Sequence, residues 1–460
     1  MMLESGRTRK IAVLGSSGSI GRSALDVIAL SQGTLEVVLL SVNRQTNILA
    51  EQLQQIAANI ASNKLATNSV NKNQKNIMRM PQWIVVTDSD ADRAPLEKLP
   101  SEILSETKIF YGQDSLSLLV REPEIDIVLS AVSGCAGLAS TWSALEAGKI
   151  VALANKESLV SGGSMIKEVA EKNRGNLIPV DSEHSAVWQA LQSWRMQHYP
   201  NSLINPDMNK TANKHSDLSL NPQNSACISV RQNVYNTDPR NVIDNITLTA
   251  SGGPFRTWTL DELKKVTVTD ALNHPTWKMG SKITVDSATM MNKAFEIIEA
   301  SYLFDLDSCN IKVLIHPQSI VHSMVQFIDG SVVAQLSRPD MRIPISIALH
   351  YPERFELPVC PIDWSEKVSL EFYMPDFERF PAISLGYAVS DKGGTAGAVV
   401  NAANETAINA FLNGRLPFYD IVNACISVLE NHNFEKRPTL SRLLELDTWA
   451  RKETEKWISQ

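Results

Sequence analysis

The run Ile11-Ala12-Val13-Leu14-Gly15-Ser16-Ser17-Gly18-Ser19-Ile20-Gly21 decides the fold. Four apolar residues without polar interruption read as a strand buried on both faces. Glycines at every third position then lead into an amphipathic pattern that continues to about Leu30. Strand, glycine loop and helix within about thirty residues is the setting in which backbone N–H groups meet a pyrophosphate. The spacing is Gly-x-x-Gly-x-x-Gly rather than Gly-x-Gly-x-x-Gly, and a tight βα turn is the plain alternative. Three glycines in register exceed what such a turn needs.

Outward from this unit, strands recur at Val37–Val42, Trp83–Thr87, Ile109–Tyr111, Ile125–Ala131, Ile150–Ala154 and Leu177–Val180, with helical spacers between them. That alternation predicts a parallel, doubly wound sheet. The strands Ile246–Ala250, Val313–Val325 and Gly330–Leu336 exceed one Rossmann unit and imply a second α/β layer. A proline-rich stretch follows, and helical patterns then fill Ala396–Leu412, Tyr419–His432 and Pro438 onward. The expected fold class is α/β: a Rossmann-like doubly wound NADPH domain over 1–180, an α/β catalytic domain over 181–350 with a lid loop at 273–281, a connector over 351–385 and a C-terminal helical bundle over 386–460. Two polar, aperiodic stretches, about 62–80 and 198–241, read as surface insertions in which no chemistry is evident.

Composition bounds the partners. A net charge of −7 over 460 residues argues against nonspecific nucleic-acid binding and leaves phosphate recognition to local sites. Five scattered cysteines without a Cys-x-x-Cys suit a reducing compartment and exclude a thiolate zinc cluster. No apolar run reaches transmembrane length, and Met1–Arg9 is too short and polar for a signal peptide. The expected compartment is the cytoplasm, with a processed plastid form as the alternative.

Asn273 to Glu296 carries much of the chemistry. His274-Pro275-Thr276-Trp277 reads as a loop with an exposed aromatic, Lys282–Val285 as a short β-branched strand, and Ser287 as the N-cap of a helix. Ser287, Asn292 and Lys293 near a helix N-terminus make a phosphate site; Glu296, one turn on, cannot hold a phosphate and would do something else. A solvated Lys293–Glu296 ion pair is the plain alternative. Asp181-Ser182-Glu183-His184 follows a strand end and could simply cap the next helix. With Glu296 available, Asp181 and Glu183 complete an oxygen-rich set suited to Mg²⁺ or Mn²⁺. His184 is either a support for these residues or a satisfied structural histidine. Ser251-Gly252-Gly253 can form an anion nest, and Arg44, where an NAD enzyme would place an acid, suits the 2′-phosphate of NADP. His316 and His322, inside sheet pattern, read as hydrogen-bonded core or interface residues.

These motifs, together with Asn155-Lys156-Glu157-Ser158-Leu159-Val160, closely resemble the 1-deoxy-D-xylulose 5-phosphate reductoisomerase family, from about Lys10 to the last helices and interrupted by the two insertions. Ser17 replaces the family's usual threonine and keeps the hydroxyl. The resemblance implies a homodimer that isomerises and reduces a sugar phosphate with NADPH and a divalent cation. It implies cofactor contacts from Gly15, Ser16, Ser17, Gly18, Ser19, Ile20, Arg44, Asn155, Glu157 and Gly280. It places substrate against Lys156, Ser182, Glu183, Ser251, His274, Ser287, Asn292, Lys293 and Glu296, under a loop containing His274, Trp277 and Met279. Catalytic roles would fall to Lys156, Glu183, His274 and Trp277, and the metal to Asp181, Glu183 and Glu296. Two rival readings are another Rossmann reductase that needs no metal and a non-enzymatic NADP sensor whose acids only cap helices.

Overall fold

The computed structural model describes residues 7–67, 79–198, 242–277, 279–365 and 367–460. Seven strands form the first sheet: β1 (Arg9–Leu14), β2 (Leu35–Val42), β3 (Trp83–Val86), β4 (Lys108–Tyr111), β5 (Ile127–Ser130), β6 (Ile150–Leu153) and β7 (Asn176–Pro179). All neighbouring pairs are parallel, in the order β4-β3-β2-β1-β5-β6-β7. The chain leaves β1 toward β2 and leaves β5 in the opposite direction, so a crevice opens at the carboxyl ends of these two strands. The glycine loop lies there. Gly15 has φ +80° and a Cβ on it would stand 2.6 Å from the Ala131 carbonyl, while one on Gly21 would stand 2.3 Å from the Gly15 carbonyl. These two glycines close the turn; Gly18 is exposed at the N-cap of the Ser19–Leu30 helix, whose first N–H groups have no partner within the helix.

The second sheet contains β8 (Ile243–Ala250), β9 (Ile311–Ile315), β10 (Val321–Phe327) and β11 (Val332–Leu336), in the order β11-β10-β8-β9. Strand β10 runs antiparallel to both neighbours, and β8 pairs in parallel with β9. One apolar core joins the helices beside this sheet to the C-terminal helices: Val285, Phe295 and Ile298 pack in the same cluster as Val399, Ala403 and Phe411.

The structure corrects several expectations. Lys282–Val285 is not a strand but the first turns of a helix, Ser281–Thr289, with Gly280 at its N-cap. Lys282 and Asp286 pair across one turn at 2.9 Å, and Val285 and Ala288 bury a common face. Tertiary burial at helical spacing outweighs the β-preference of Ile283, Thr284 and Val285. Ser287 therefore caps nothing; the chain breaks at Met290, in the left-handed region at φ 63°, and restarts as Met291–Phe304. The Thr46–Thr67 helix runs into the first expected insertion, whose residues 68–78 lie outside the described residues. The second, expected at 198–241, begins with the last residue of the Ser182–His198 helix, and 199–241 lie outside the description. The Ala382–Lys392 helix starts within the expected connector.

Candidate active site

One cavity gathers the carboxyl edges of both sheets. Ser19 and Ile20 reach it from the glycine loop, Lys156 from beyond β6, Asp181, Ser182 and Glu183 from beyond β7, and Ser251 from beyond β8. His274, Trp277, Met279 and Gly280 line it on one stretch of chain, and Ser287, Asn292, Lys293 and Glu296 line it on another. Glycine loop, acidic cluster and the His274–Trp277 turn thus face the same space.

Carboxylate oxygens of Asp181, Glu183 and Glu296 lie within 4.8 Å of one another. The Lys156 ammonium donates to Asn292 Oδ1 at 2.6 Å, stands 2.6 Å from Asp181 Oδ2 and reaches Glu296 Oε1 at 3.2 Å. Lys293 contacts Glu296 and lies 3.0 Å from Glu183. Lys293 and Glu296 do pair, but not on a solvated face: their side chains are only 3% and 1% exposed. Asn292 Nδ2 donates to Glu296 at 2.6 Å. Burial, then the neighbouring Glu183 carboxylate, push the Glu296 carboxyl up to about 7. Asp181 is held well below the usual carboxylate range: burial opposes this, but Lys156 and His184 outweigh it. Three convergent carboxylates with no sulfur donor fit a hard divalent cation.

His184 lies beneath this group. Its Nε2–H donates to the Glu296 carbonyl at 3.0 Å, while Nδ1 stands 3.1 Å from Glu299 and 3.8 Å from Asp181. A carbonyl on one side and two carboxylates on the other leave no partner for a lone pair, so both ring nitrogens carry protons. Burial would depress the imidazolium pKa, but Glu299 outweighs it and the value rises to about 9.

His274 organises the turn that follows it. Its Nδ1 accepts from the Thr276 and Trp277 backbone N–H groups at 3.1 and 2.9 Å, so the proton sits on Nε2. Nε2–H then points at Ser251 Oγ (3.2 Å) and Ser287 Oγ (3.1 Å). Burial holds its pKa below the ordinary histidine value, which favours this neutral form. Gly252 and Gly253, at φ +84° and +65°, turn the chain after Ser251; a Cβ on Gly253 would stand 2.8 Å from the Ser287 carbonyl.

Other expected site residues do not line the cavity. Ser16 exchanges hydrogen bonds with Gln52 at 2.8 Å. Asn155 caps the Lys156–Asn173 helix through the Ser158 N–H at 2.6 Å and donates to the Gly134 carbonyl at 2.9 Å. Glu157 pairs with Lys282. Arg44 stands at the end of β2, 71% exposed and 2.5 Å from Asp88, while Ser17 and Gly18 sit at the turn itself. His316 is a satisfied core residue: Nδ1 donates to the Glu371 carbonyl at 2.8 Å and Nε2 accepts two backbone N–H groups. His322 bonds to Ser337 at 3.0 Å and also lines the cavity. Sequence reading missed Ile283, Met290 and Ser319 as lining residues, whereas Met341 lies in the Arg338–Pro344 turn that the family resemblance brings near the substrate. The Pro317-Gln318-Ser319 turn, with Ser319 at φ 50°, was the available signal for one of them.

Profiles of known families agree along the chain. A 1-deoxy-D-xylulose 5-phosphate reductoisomerase profile matches residues 11–77 and 64–163, its C-terminal domain profile matches 220–304, and a DXP reductoisomerase C-terminal domain profile matches 336–453. The reductoisomerase of Rhodopirellula baltica is 41% identical over 453 residues, covering 96% of this chain and 93% of that protein. That of Thermodesulfovibrio yellowstonii is 39% identical over 98% of this chain and 100% of its own length. Among solved structures, the Zymomonas mobilis reductoisomerase in complex with NADPH superimposes with TM-score 0.76 at 33% identity, over 99% of this chain and 100% of that one. A DOX-P reductoisomerase in complex with NADPH, fosmidomycin and magnesium gives TM-score 0.78 at 32% identity over 98% of both chains. Sheet order, shared cavity and full-length similarity lead to one conclusion: this chain belongs to the 1-deoxy-D-xylulose 5-phosphate reductoisomerase family.

Proposed function

We infer that the protein converts 1-deoxy-D-xylulose 5-phosphate to 2-C-methyl-D-erythritol 4-phosphate, an isomerisation followed by reduction, with NADPH and a divalent cation, either Mg²⁺ or Mn²⁺. The observation that carries this is the opening of the glycine loop, the three carboxylates and the His274 lid into one cavity. When bound, NADPH supplies the hydride and the cation supplies Lewis-acid stabilisation of charge on the substrate's oxygens. Asp181, Glu183 and Glu296 hold the cation, and Lys156 adds a fixed positive charge beside the reacting oxygens. Ser251, Ser287, Asn292 and Lys293, with the Gly252–Gly253 turn, receive the phosphate, and His274 Nε2–H donates into the same spot. Lys293, which stands beside Glu183 and Glu296, would supply positive charge to both the phosphate and the carboxylate group. Trp277 closes the cavity and excludes water. Ser19, Ile20 and the first N–H groups of their helix take the pyrophosphate, Arg44 the 2′-phosphate and Gly280 the nicotinamide end. The expected contacts from Asn155 and Glu157 reduce to support from behind, since their side chains are buried against Ser158 and Lys282.

The division into cofactor, catalytic, connector and helical regions follows the same reading. A homodimer is supported by an edge that is unpaired among the described residues: β11 borders the second sheet with Val332 and Val333 exposed, and Ile328 and Met374 nearby in sequence or in the connector are 65% and 72% exposed. Sedimentation at twice the chain mass is expected; the chain mass would overturn it. A cytoplasmic setting suits the described cysteines, which are all free. Among the described residues no helix is long and apolar enough to cross a membrane. The test of function is NADPH oxidation driven by the sugar phosphate, abolished by a chelator and restored by Mg²⁺ or Mn²⁺. Oxidation that ignores the chelator would favour a metal-free reductase; none at all would favour a sensor.

A further inference from the structure

Four polar side chains outside the cavity join three parts of the fold at one point. Lys282, two residues beyond the lid's Gly280, contacts Glu157 in the first turn of the Lys156–Asn173 helix and lies 2.9 Å from Asp286. Asp286 Oδ1 accepts from Asn404 Nδ2 at 2.7 Å, and Asn404 belongs to the C-terminal Ala396–Leu412 helix. Glu157, Asp286 and Asn404 are all buried, and the Lys282 ammonium also stands 5.1 Å from the Phe295 ring centre. Three of the four adjoin the cavity in sequence: Glu157 follows Lys156, Lys282 follows the lid, and Asp286 precedes Ser287, which meets His274. A surface ion pair would need no such arrangement, and a buried one is weak evidence of stabilisation for its own sake. Its consequence is geometric, because the Ser281–Thr289 helix carries the lid's C-terminal end at its start and the phosphate-site hydroxyl near its end.

We propose that Lys282 is a positioning residue: bridging Glu157 and Asp286, it fixes the Ser281–Thr289 helix so that the lid and Ser287 meet the sugar phosphate together. This rests on the substrate and lid assignments above. Burial alone would lower the Lys282 pKa, but Asp286 and Glu157 raise it, so the bridge stays charged. Three variants test it: Lys282→Met, Lys282→Arg, and Asp286→Asn, which keeps the Asn404 contact and spares the fold if Lys282→Met does not accumulate. KM for 1-deoxy-D-xylulose 5-phosphate should rise roughly tenfold or more in Lys282→Met and Asp286→Asn, as misplacement of a binding group does, with a smaller change in NADPH affinity. Lys282→Arg should recover most of the loss. Amide exchange of the 274–280 segment, slowed in wild type when the sugar phosphate binds, should stay fast in Lys282→Met and Asp286→Asn. A lowered melting temperature with unchanged KM and unchanged lid protection would make the bridge structural only and overturn the proposal. Absence of lid protection in wild type would instead overturn the lid assignment itself.

Discussion

Replacing Glu296 by glutamine keeps its size and its ability to accept from Asn292 and Lys156 while removing one charge. At pH above the raised Glu296 value, three carboxylates around the cavity face two ammonium groups, Lys156 and Lys293. His184 beneath them is balanced by Glu299, which leaves one negative charge to attract a cation. Two unit charges about 4 Å apart at an effective dielectric near 20 interact by about 4 kcal/mol. Glu296 is buried, so little of this is lost to solvent. Metal affinity should therefore fall on the order of a thousandfold. Stability without metal should change little, because Lys156 keeps Asp181 at 2.6 Å and Lys293 keeps Glu183 at 3.0 Å, so neither ammonium is left alone. Calorimetric titration with Mn²⁺ gives the affinity, nucleotide fluorescence the NADPH affinity, and a thermal scan without metal the stability. Turnover should collapse with metal affinity and recover in part at high Mn²⁺, with NADPH binding unchanged. Wild-type metal affinity in Glu296→Gln would refute the ligand assignment.

Further outcomes follow from the same geometry. Arg44→Ala should weaken NADPH roughly ten- to hundredfold and leave NADH almost unchanged; equal losses in direct titrations would remove Arg44 as the reader of the 2′-phosphate. Trp277→Ala should lower turnover far more than NADPH affinity, and unchanged steady-state rates would make it a surface aromatic. Replacing 199–241 with a short Gly/Ser loop should preserve activity and melting temperature, whereas a large loss of stability would show that the stretch packs against the fold. His274 has a folded-state pKa depressed below 6.5 by burial. Its contribution is therefore complete above the unfolded value and is lost as pH falls through that range, because protonated Nδ1 cannot accept from Thr276 and Trp277. Sugar-phosphate binding should weaken on acidification with an inflection below 6.5, and His274→Asn should abolish that inflection.

The glycine loop and the strand alternation were legible because each is written in local order: a strand must be apolar, and a βα turn must use glycine where backbone approaches backbone, as at Gly15 and Gly21. Asp181, Glu183 and Ser251 could be singled out from sequence because strand ends are where polar residues face a crevice, whereas Glu296 was singled out through its helical neighbours Asn292 and Lys293, and His274 through the family resemblance. The Ser281–Thr289 helix could not be read the same way. Its β-branched Ile283, Thr284 and Val285 favour a strand locally, and only the burial of Val285 and Ala288 together with the Lys282–Asp286 contact makes it helical. Cavity residues such as Ser319 and His322 arrive from elements distant in sequence, and no local pattern announces where those elements pack. Asp88 beside Arg44 likewise follows from the pairing of β2 with β3, a contact between strands some forty residues apart.

The central claim is that Asp181, Glu183 and Glu296, rather than the adjacent Asp181, His184 and Glu299, hold the cation. Both groups bring their oxygen or nitrogen atoms within 4.8 Å of one another, so chemistry and position must be separated directly. Crystals grown with NADPH and Mn²⁺ and measured for manganese anomalous scattering would do so. The account predicts one peak in the cavity, bounded by Asp181, Glu183 and Glu296, with His184 Nε2 still on the Glu296 carbonyl. A peak bounded by His184 and Glu299, or none near Glu296, would contradict it.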